Sequence, residues 1–215
     1  MTDEHRKGEG WREAAREAMY EATLEEAERR FGTRTPVFNY RWEHVQAVYA
    51  LALKLARLTG ADEEVVEAAV WLHDAAKEEG EEHAQAGAAL ARRFLPQTDF
   101  PAHKIEQVAR AIAGHQGLWR EEPLPALESQ VLWDADKLSK LGLTAAFHWL
   151  GMDFAKGKQM TTRDLIANGR DVDWQERTLA SMHTAPARRA AAQRLQAFDE
   201  LWDALEAELD GDDVA

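Results

Sequence analysis

Cysteine is absent from the 215 residues of this chain. Its absence excludes disulfide bonds, thiol nucleophiles and thiolate zinc sites, and it constrains the cellular compartment only weakly. No apolar run is long enough for a membrane-spanning helix, and the N-terminus is too polar for a signal peptide. We therefore expect no membrane partner and a cytoplasmic location.

Positive charge is scarce, because 26 Lys and Arg stand against 39 Asp and Glu and the formal net charge is -13. Affinity for the phosphates of long nucleic acids comes largely from Lys and Arg, so this balance argues against an RNA- or DNA-binding protein. A phosphate-containing substrate would have to be small. It would also need metal ions, or a few well-placed Lys and Arg, to overcome the acidic field.

Runs rich in Val, Ile and Thr are few, and the chain has only 6 Pro and 13 Gly. Its abundant residues are Ala, Leu, Glu and Arg, a composition typical of an all-α protein. Asp62 can cap a helix that carries residues 73 and 74 near its C-terminal end. Apolar residues at helical spacing predict the other helices at 11–31, 40–59, 81–95, 102–113, 127–141, 143–154, about 173–183 and 186–209.

We expect a single-domain helical bundle with additional helices at both ends. Its parts would be an N-terminal helix and loop at 1–38, a core at 39–155, a lid-like excursion and C-terminal helices packing on the core at 156–209, and a disordered tail at 210–215. Residues 1–10 would be a frayed start. Residues 156–172 are rich in Gly and Lys and have little helical periodicity, which favours an irregular segment. The charged residues of the first helix, Glu26 among them, would form a solvated face.

The main functional signal is the adjacent pair His73 and Asp74 at the polar end of an apolar helix. Neighbouring helical side chains point about 100° apart, so one packing face cannot bury both. A single His is most often a core or surface residue, but several metal-binding groups near helix ends can converge in a bundle. The candidate partners are His44, His83, His115 and Asp136. Such a mixed set suits a divalent ion, for which we expect Mn²⁺, with Fe²⁺, Co²⁺, Mg²⁺ or Ni²⁺ as alternatives.

Five ordered segments around these residues resemble the HD-domain metal-dependent phosphohydrolases. They are RWEHVQAV, WLHDAAKEEG, EEHAQAGAALA, AIAGHQG and LWDADKLSKLG, which together run from about residue 39 to residue 142. The chain departs from the family pattern in two places. Ala75 and Ala76 stand where Ile-Gly commonly follows the His-Asp pair, and Gln116 stands where many relatives have a second His.

The resemblance implies a fold of the HD-domain type and a metal site. The residues that would hold the first ion are His44, His73, Asp74 and Asp136. Asp136 directly precedes Lys137 and is favoured over Asp134, which would be a supporting partner or an alternative ligand. His83 and His115 match positions that hold a second ion in two-metal relatives, with Asp74 bridging. In one-metal relatives they contact the phosphate or donate a proton, so one or two ions per chain are expected.

The resemblance also implies an enzyme in which a metal-activated water attacks phosphorus. The catalytic residues would be Asp74, Lys77, His83 and His115. The substrate contacts would be Arg41, Lys77 and Lys137. Arg41 and Lys77 have an alternative as solvent charges at helix ends, and Lys137 has an alternative as the helical partner of Asp134.

The expected function is hydrolysis of a nucleotide or another small phosphate ester, by phosphomonoesterase or phosphodiesterase action. Activities of 5′-nucleotidase, cyclic-nucleotide phosphodiesterase and triphosphohydrolase type stay open. The short HD-x-Ala-Lys segment with nearby His83 also resembles dinucleoside polyphosphate hydrolases, whereas (p)ppGpp hydrolases have a larger multidomain context. Hypotheses of other classes are a non-catalytic nucleotide-sensing HD module and a helical scaffold with incidental histidines. A homo-oligomer stays open too.

Overall fold

The structure, a computed structural model, describes residues 10–171 and 174–214. Within these ranges it contains ten α-helices and no β-strand, which confirms the expected all-α fold. The frayed start expected at 1–10 lies outside the described residues except for Gly10, and so does the last residue of the expected tail. Among the helices that are described, none combines the length and apolar character needed to cross a bilayer.

The helices follow one another along the chain with short connections. They are α1 (Trp11–Phe31), α2 (Tyr40–Thr59), α3 (Glu63–Leu72), α4 (His83–Phe94), α5 (Ile105–Ala113), α6 (Leu127–Leu138), α7 (Leu143–Ala155), α8 (Thr162–Arg170), α9 (Trp174–Ala180) and α10 (Ala185–Asp210). Asn39 and Asp62 cap α2 and α3 through side-chain hydrogen bonds to backbone N–H groups. Gly60 ends α2 in the left-handed conformation, with φ 78°, which glycine adopts without steric cost.

Several segments differ from the sequence-based expectation. The helix expected to carry residues 73 and 74 ends at Leu72, so the His-Asp pair directly follows α3 instead of lying in it. The helix expected at 81–95 is an α-helix only over His83–Phe94, and a 3-10 helix at Lys77–Glu82 precedes it. The irregular segment expected at 156–172 contains α8. A capping box between Thr161 and Asp164 begins α8, and only Ile166 and Gly169 of this helix are buried. An argument from apolar periodicity misses such a short and mostly polar helix.

The most enclosed helix is α3, in which residues 65–72 are all buried. It packs against α1, α2, α4, α5 and α6, so its C-terminal end opens into the middle of the bundle. Each fully buried Val or Leu here contributes roughly 1.5–3 kcal/mol relative to an exposed one. Gly87 lets α4 approach closely, because a Cβ at this position would lie 3.2 Å from the carbonyl oxygen of His73. The residues that end α3 are thereby held from several sides.

A smaller apolar cluster joins the C-terminal helices. Ala146 of α7, Ile166 of α8, and Phe198 and Trp202 of α10 are all buried against one another. The main core also includes Ala187 and Ala191 of α10, so this helix packs on the central bundle as well. The C-terminal helices therefore pack on the central bundle as well as on one another.

Candidate metal centre

The six side chains expected to bind metal ions meet where α3 ends. His44 lies near the start of α2, His83 begins α4, and Asp136 lies in the last turn of α6. His73 and Asp74 directly follow α3, and His115 lies just beyond α5. All six are buried; they are His44, His73, Asp74, His83, His115 and Asp136. Helix ends place their side chains at one level of the bundle, which explains why residues far apart in sequence converge.

The ligand atoms form two groups, and Asp74, a member of the second, also faces the first. The first group is His44, His73 and Asp136, and the second is Asp74, His83 and His115. Asp74 Oδ2 is 3.7 Å from His44 Nε2 and 3.8 Å from His73 Nε2. Asp74 Oδ1 is 3.6 Å from His115 Nε2 and 3.9 Å from His83 Nε2. One carboxylate oxygen thus faces each group, an arrangement in which a single carboxylate can bridge two ions.

The spacing of these atoms fits divalent ions. Two ligand atoms that are each about 2.1 Å from one ion lie about 3.0 Å apart at a right angle and about 4.2 Å apart on opposite sides. The separations around Asp74 fall within this range, as does the 3.2 Å between His44 Nε2 and Asp136 Oδ1. Moreover, His44 Nε2, His73 Nε2, His115 Nε2 and Asp74 Oδ1 are buried without a hydrogen-bond partner. Buried polar atoms normally have one, so the residues fit a shared cation.

The remaining ring nitrogens determine the tautomers. Nδ1 of His73, His83 and His115 each lies 2.6 Å from a backbone carbonyl three residues earlier in the chain. A carbonyl oxygen only accepts, so Nδ1 carries the proton and the Nε2 lone pair faces the centre. His44 also carries its proton on Nδ1, but the acceptor is the hydroxyl of Ser139 instead of a backbone carbonyl. Its Nδ1 lies 3.0 Å from Ser139 Oγ, and the Ser139 hydroxyl donates to the Asp136 carbonyl at 2.7 Å.

The protonation states match those of metal ligands. Burial lowers the pKa of His44 to about 4 and that of His73 to about 3, so both rings are neutral at pH 7. Burial opposes ionisation of Asp74, but the positive charges of Arg41 and Lys77 hold its pKa well below the usual value. Asp136 is likewise buried, and Lys137 and Lys140 hold its pKa well below the usual value. Neutral imidazoles and ionised carboxylates are the forms that bind metal ions.

Three lysines surround the centre in different ways. Lys77 Nζ is 2.9 Å from His83 Nε2 and 3.3 Å from Asp74 Oδ1, and its side chain is 32% exposed. Lys137 is buried, donates to the carbonyl oxygen of His115 at 3.0 Å and pairs with Asp136. Burial lowers the pKa of Lys137 to about 8. Lys140 Nζ is 2.7 Å from Asp136 Oδ1. The Lys140 side chain is 26% exposed, so of these three lysines only Lys137 is closed off from solvent.

Arg41 is buried behind Asp74 rather than on the surface. One of its terminal nitrogens donates to Asp74 Oδ2, and the other side of its guanidinium pairs with Glu26 of α1. The expectation that Glu26 lies on a solvated face is wrong, because this residue is 8% exposed. The reason is the docking of α1 beside α2, which places Glu26 against Arg41, while Arg30 of α1 pairs with Glu26 one helical turn away.

Asp134 lies outside the cluster although it is only two residues from Asp136. Its carboxylate accepts hydrogen bonds from the backbone N–H groups of His183 and Thr184, both at 2.8 Å. Thr184 caps α10, so Asp134 holds the start of that helix against α6. The structure therefore brings Asp136, and not Asp134, to the imidazoles. Lys137 likewise turns to Asp136 and His115 rather than to Asp134.

An all-α bundle that gathers four imidazoles and two carboxylates at one buried point defines a class of helical proteins able to hold divalent ions. Residues 41–141, slightly under half of the chain, match the family model described as HD domain, so this segment is similar to the HD domains. A comparison with curated proteins found no match.

Solved structures share the fold. One is a protein described as a predicted HD-superfamily hydrolase from an uncultured Thermotogales bacterium, with 20% identity over 92% of each chain and a TM-score of 0.65. An HD-superfamily hydrolase from Bacillus thuringiensis has 19% identity over 91% of this chain and 98% of its own, with a TM-score of 0.62. Bacillus subtilis YpgQ in complex with ADP has 21% identity over 78% of this chain and 88% of its own, with a TM-score of 0.60. At these identities the likeness establishes the fold.

Two residues of this centre were not anticipated from the sequence, namely Glu26 and Ser139. Glu26 lies in a helix rich in Glu and Arg, where no residue stands out by type. Ser139 follows Asp136 by three residues at the end of α6, a spacing that places both on one helical face. That spacing is the only signal in the sequence that pointed towards Ser139, and it is a weak one.

Proposed function

We propose that this protein is a metal-dependent phosphohydrolase that acts on a nucleotide or another small phosphate ester. The observation that carries the proposal is the position of Asp74, with one oxygen towards each of two groups of ligand atoms. That arrangement suits two divalent ions that share a carboxylate. Such ions supply Lewis acidity to phosphoryl oxygens and activate water for attack at phosphorus.

The ligand set favours Mn²⁺ over a structural zinc ion. Structural zinc sites are usually tetrahedral and rich in cysteine, which this chain lacks. Four imidazoles and two carboxylates suit Mn²⁺, Fe²⁺, Co²⁺ or Ni²⁺, and Mg²⁺ prefers a site with more oxygen. We therefore take Mn²⁺ as the first ion to test. If only the first group of ligands binds an ion, His83 and His115 become free to contact the phosphate or to donate a proton.

Lys77 is the cation best placed to meet a phosphate that arrives from solvent. Its side chain is more exposed than those of Arg41 and Lys137, and its ammonium lies beside both His83 and Asp74. Arg41 and Lys137 are buried and engaged with carboxylates, so we propose that they orient Asp74 and Asp136. Lys77 would then neutralise charge on the phosphate, which is the contribution that an exposed ammonium makes best.

A small nucleotide is the favoured substrate class. The net charge of -13 opposes binding of long nucleic acids, whereas a mononucleotide needs only a local cationic site. The ADP complex of YpgQ shows that a protein of similar fold holds a nucleoside diphosphate. We therefore propose nucleotides, with ADP as the first compound of a test panel.

The test combines metal content with turnover. The protein is stripped with a chelator, Mn²⁺ is titrated back, and phosphate release is measured on nucleoside mono-, di- and triphosphates, cyclic nucleotides and dinucleoside polyphosphates. We expect turnover that requires Mn²⁺, that is lost in Asp74→Asn, and that persists in Glu78→Gln, an exposed acid on the neighbouring turn. Separation of the products distinguishes monoester from diester cleavage. ADP binding without turnover of any phosphate ester would instead favour a nucleotide-sensing module.

A further inference from the structure

A chain of ion pairs that begins at the surface with Arg30 and continues through buried groups connects α1 to the metal centre. Arg30 pairs with Glu26 at 2.8 Å, Glu26 pairs with Arg41, and Arg41 donates to Asp74. Glu26 and Arg41 are each 8% exposed and Asp74 is 3% exposed, so water screens little of this interaction. The match to the HD-domain family begins at residue 41, and Glu26 lies fifteen residues before it in a separate helix. This contact therefore adds a residue from outside the matched segment to the centre.

The geometry of the guanidinium gives Glu26 a specific effect. Arg41 Nε lies 2.7 Å from Glu26 Oε2, and one terminal nitrogen lies 3.2 Å from Glu26 Oε1, so the two groups meet edge to edge. This pairing uses the edge of the Arg41 guanidinium that carries Nε and one terminal nitrogen. Only the other terminal nitrogen reaches Asp74, and it contacts Oδ2 alone. Asp74 Oδ1 accepts nothing from Arg41 and remains directed at His83 and His115.

Arg41 would behave differently without this partner. Arginine and carboxylate groups frequently pair through two parallel hydrogen bonds. A guanidinium released from Glu26 can turn its edge to Asp74 and engage both carboxylate oxygens, which are the atoms that the two groups of ligands share. In addition, the positive charge of Arg41 would be balanced by Asp74 alone and would repel a nearby cation more strongly.

We propose that Glu26 is a positioning residue for the metal centre, which acts by holding Arg41 so that Asp74 keeps one oxygen for each group of ligands. The inference rests on the proposed function only in treating these groups as metal sites, and it requires no particular substrate. It makes α1 part of the centre rather than an addition that packs beside it.

The experiment compares two neighbouring glutamates of α1. Glu26→Gln keeps the shape of the side chain but removes its charge, while Glu25→Gln makes the same change at an exposed position. Mn²⁺ binding to the full chain is measured by calorimetry, and urea unfolding in chelator reports the fold. We expect Glu26→Gln to bind Mn²⁺ about 10- to 100-fold more weakly, the usual effect of removing a supporting partner of a metal ligand. Glu25→Gln should bind as wild type does.

A double-mutant cycle separates positioning from general damage. In an Arg41→Met background, Glu26→Gln should weaken Mn²⁺ binding no further, because the effect of Glu26 passes through Arg41. An effect of equal size in both backgrounds would overturn the inference, and so would wild-type affinity in Glu26→Gln. If Glu26→Gln fails to fold, Glu26→Asp, which keeps the charge but shortens the side chain, provides the same comparison.

The outcomes for this inference and for the proposed function are separate. A wild-type protein that binds Mn²⁺ but hydrolyses no phosphate ester would contradict the proposed function, and the comparison of Glu26 and Glu25 variants would still decide the inference. A wild-type protein that binds no Mn²⁺, Fe²⁺ or Co²⁺ would overturn both.

Discussion

Ser139 Oγ lies 3.0 Å from His44 Nδ1, so a hydroxyl on one side of the bundle determines which nitrogen of a buried imidazole carries the proton. The hydroxyl cannot donate to the ring because its own proton goes to the Asp136 carbonyl, at 2.7 Å. His44 must therefore donate from Nδ1, which leaves Nε2 free beside Asp136 and Asp74. The contact links the end of α6 to the start of α2.

Removal of this hydroxyl should weaken metal binding. In Ser139→Ala the His44 Nδ1 proton loses its acceptor, and leaving a buried polar group unpaired costs about 1–3 kcal/mol. The ring can then shift its proton to Nε2, so we expect Mn²⁺ to bind about 10-fold more weakly in calorimetric titrations. In the wild-type apoprotein, ¹⁵N NMR of His44 should show a protonated Nδ1.

The control is Ser129→Ala, a change at a second buried serine of α6 that is not among the residues of the cluster. It should leave Mn²⁺ affinity unchanged. Equal Mn²⁺ affinity in Ser139→Ala and Ser129→Ala, or an unprotonated Nδ1 on His44 in the wild type, would show that Ser139 does not set the tautomer.

The two carboxylates of α6 should have opposite phenotypes. Asp136→Asn removes a charge that faces His44, so we expect loss of Mn²⁺ binding with the helical content retained. Asp134→Asn weakens the hydrogen bonds that hold the start of α10, so we expect a stability loss of about 1 kcal/mol, typical for a capping interaction, with Mn²⁺ affinity retained. Calorimetric titration and urea unfolding of both variants check this. Loss of metal in Asp134→Asn alone would reverse the assignment.

This pair also shows why part of the site could not be read from the sequence. Residues two apart on a helix point about 200° apart, so one of the two carboxylates must face away from the imidazoles. Which one does so depends on where α2 and α10 pack on α6, and that is a matter of tertiary structure. Glu26 poses the same problem, because only the docking of α2 distinguishes it from the other glutamates of α1.

Other parts of the structure follow from local sequence. The bounds of α1 and α2 agree with the prediction to the residue, because apolar spacing and the glycines after each helix define them. The six expected ligands could be selected from the sequence because their residue types stand out near the ends of apolar helices, and the packing of those helices brings them together. Their roles as ligands, and those of Lys77, Lys137 and Arg41 towards substrate, stay predictions until binding and turnover are measured.

Added metal should raise stability in proportion to the number of ions bound. A ligand at 100 times its dissociation constant stabilises a protein by about 2.7 kcal/mol per site. We therefore expect Mn²⁺ to raise the free energy of urea unfolding of the wild type, and chelator to reverse the effect. His115→Gln removes a ligand from the second group only, so it should retain about half of this stabilisation and one ion by elemental analysis. If the wild type binds one ion and His115→Gln keeps both that ion and the full stabilisation by Mn²⁺, the second group of ligands holds no ion.

Asp62 should make a pH-dependent contribution to the helix that leads to the centre. Its carboxylate caps α3 by accepting from the Glu64 and Val65 N–H groups at 3.0 and 3.3 Å, and it pairs with Lys104 at 2.7 Å. Burial opposes its ionisation, but the hydrogen bonds from Lys104 and the backbone lower its pKa from the ordinary 3.8. An ionised Asp62 therefore stabilises the folded state above the pKa of the unfolded chain, and this contribution is lost as pH falls through the lower folded pKa.

The variant Asp62→Asn isolates that charge, because Asn caps helices as well as Asp does. In urea unfolding with chelator present, it should be less stable than wild type by about 0.5–1 kcal/mol at pH 7, the usual contribution of a charge at a helix N-terminus. The deficit should be the same at pH 5 and smaller at pH 3, where protonation removes the charge from the wild type as well. Glu17→Gln, an exposed acid beyond the first turn of α1, serves as the control. A deficit that persists unchanged at pH 3 would mean that geometry, and not the charge of Asp62, stabilises the start of α3.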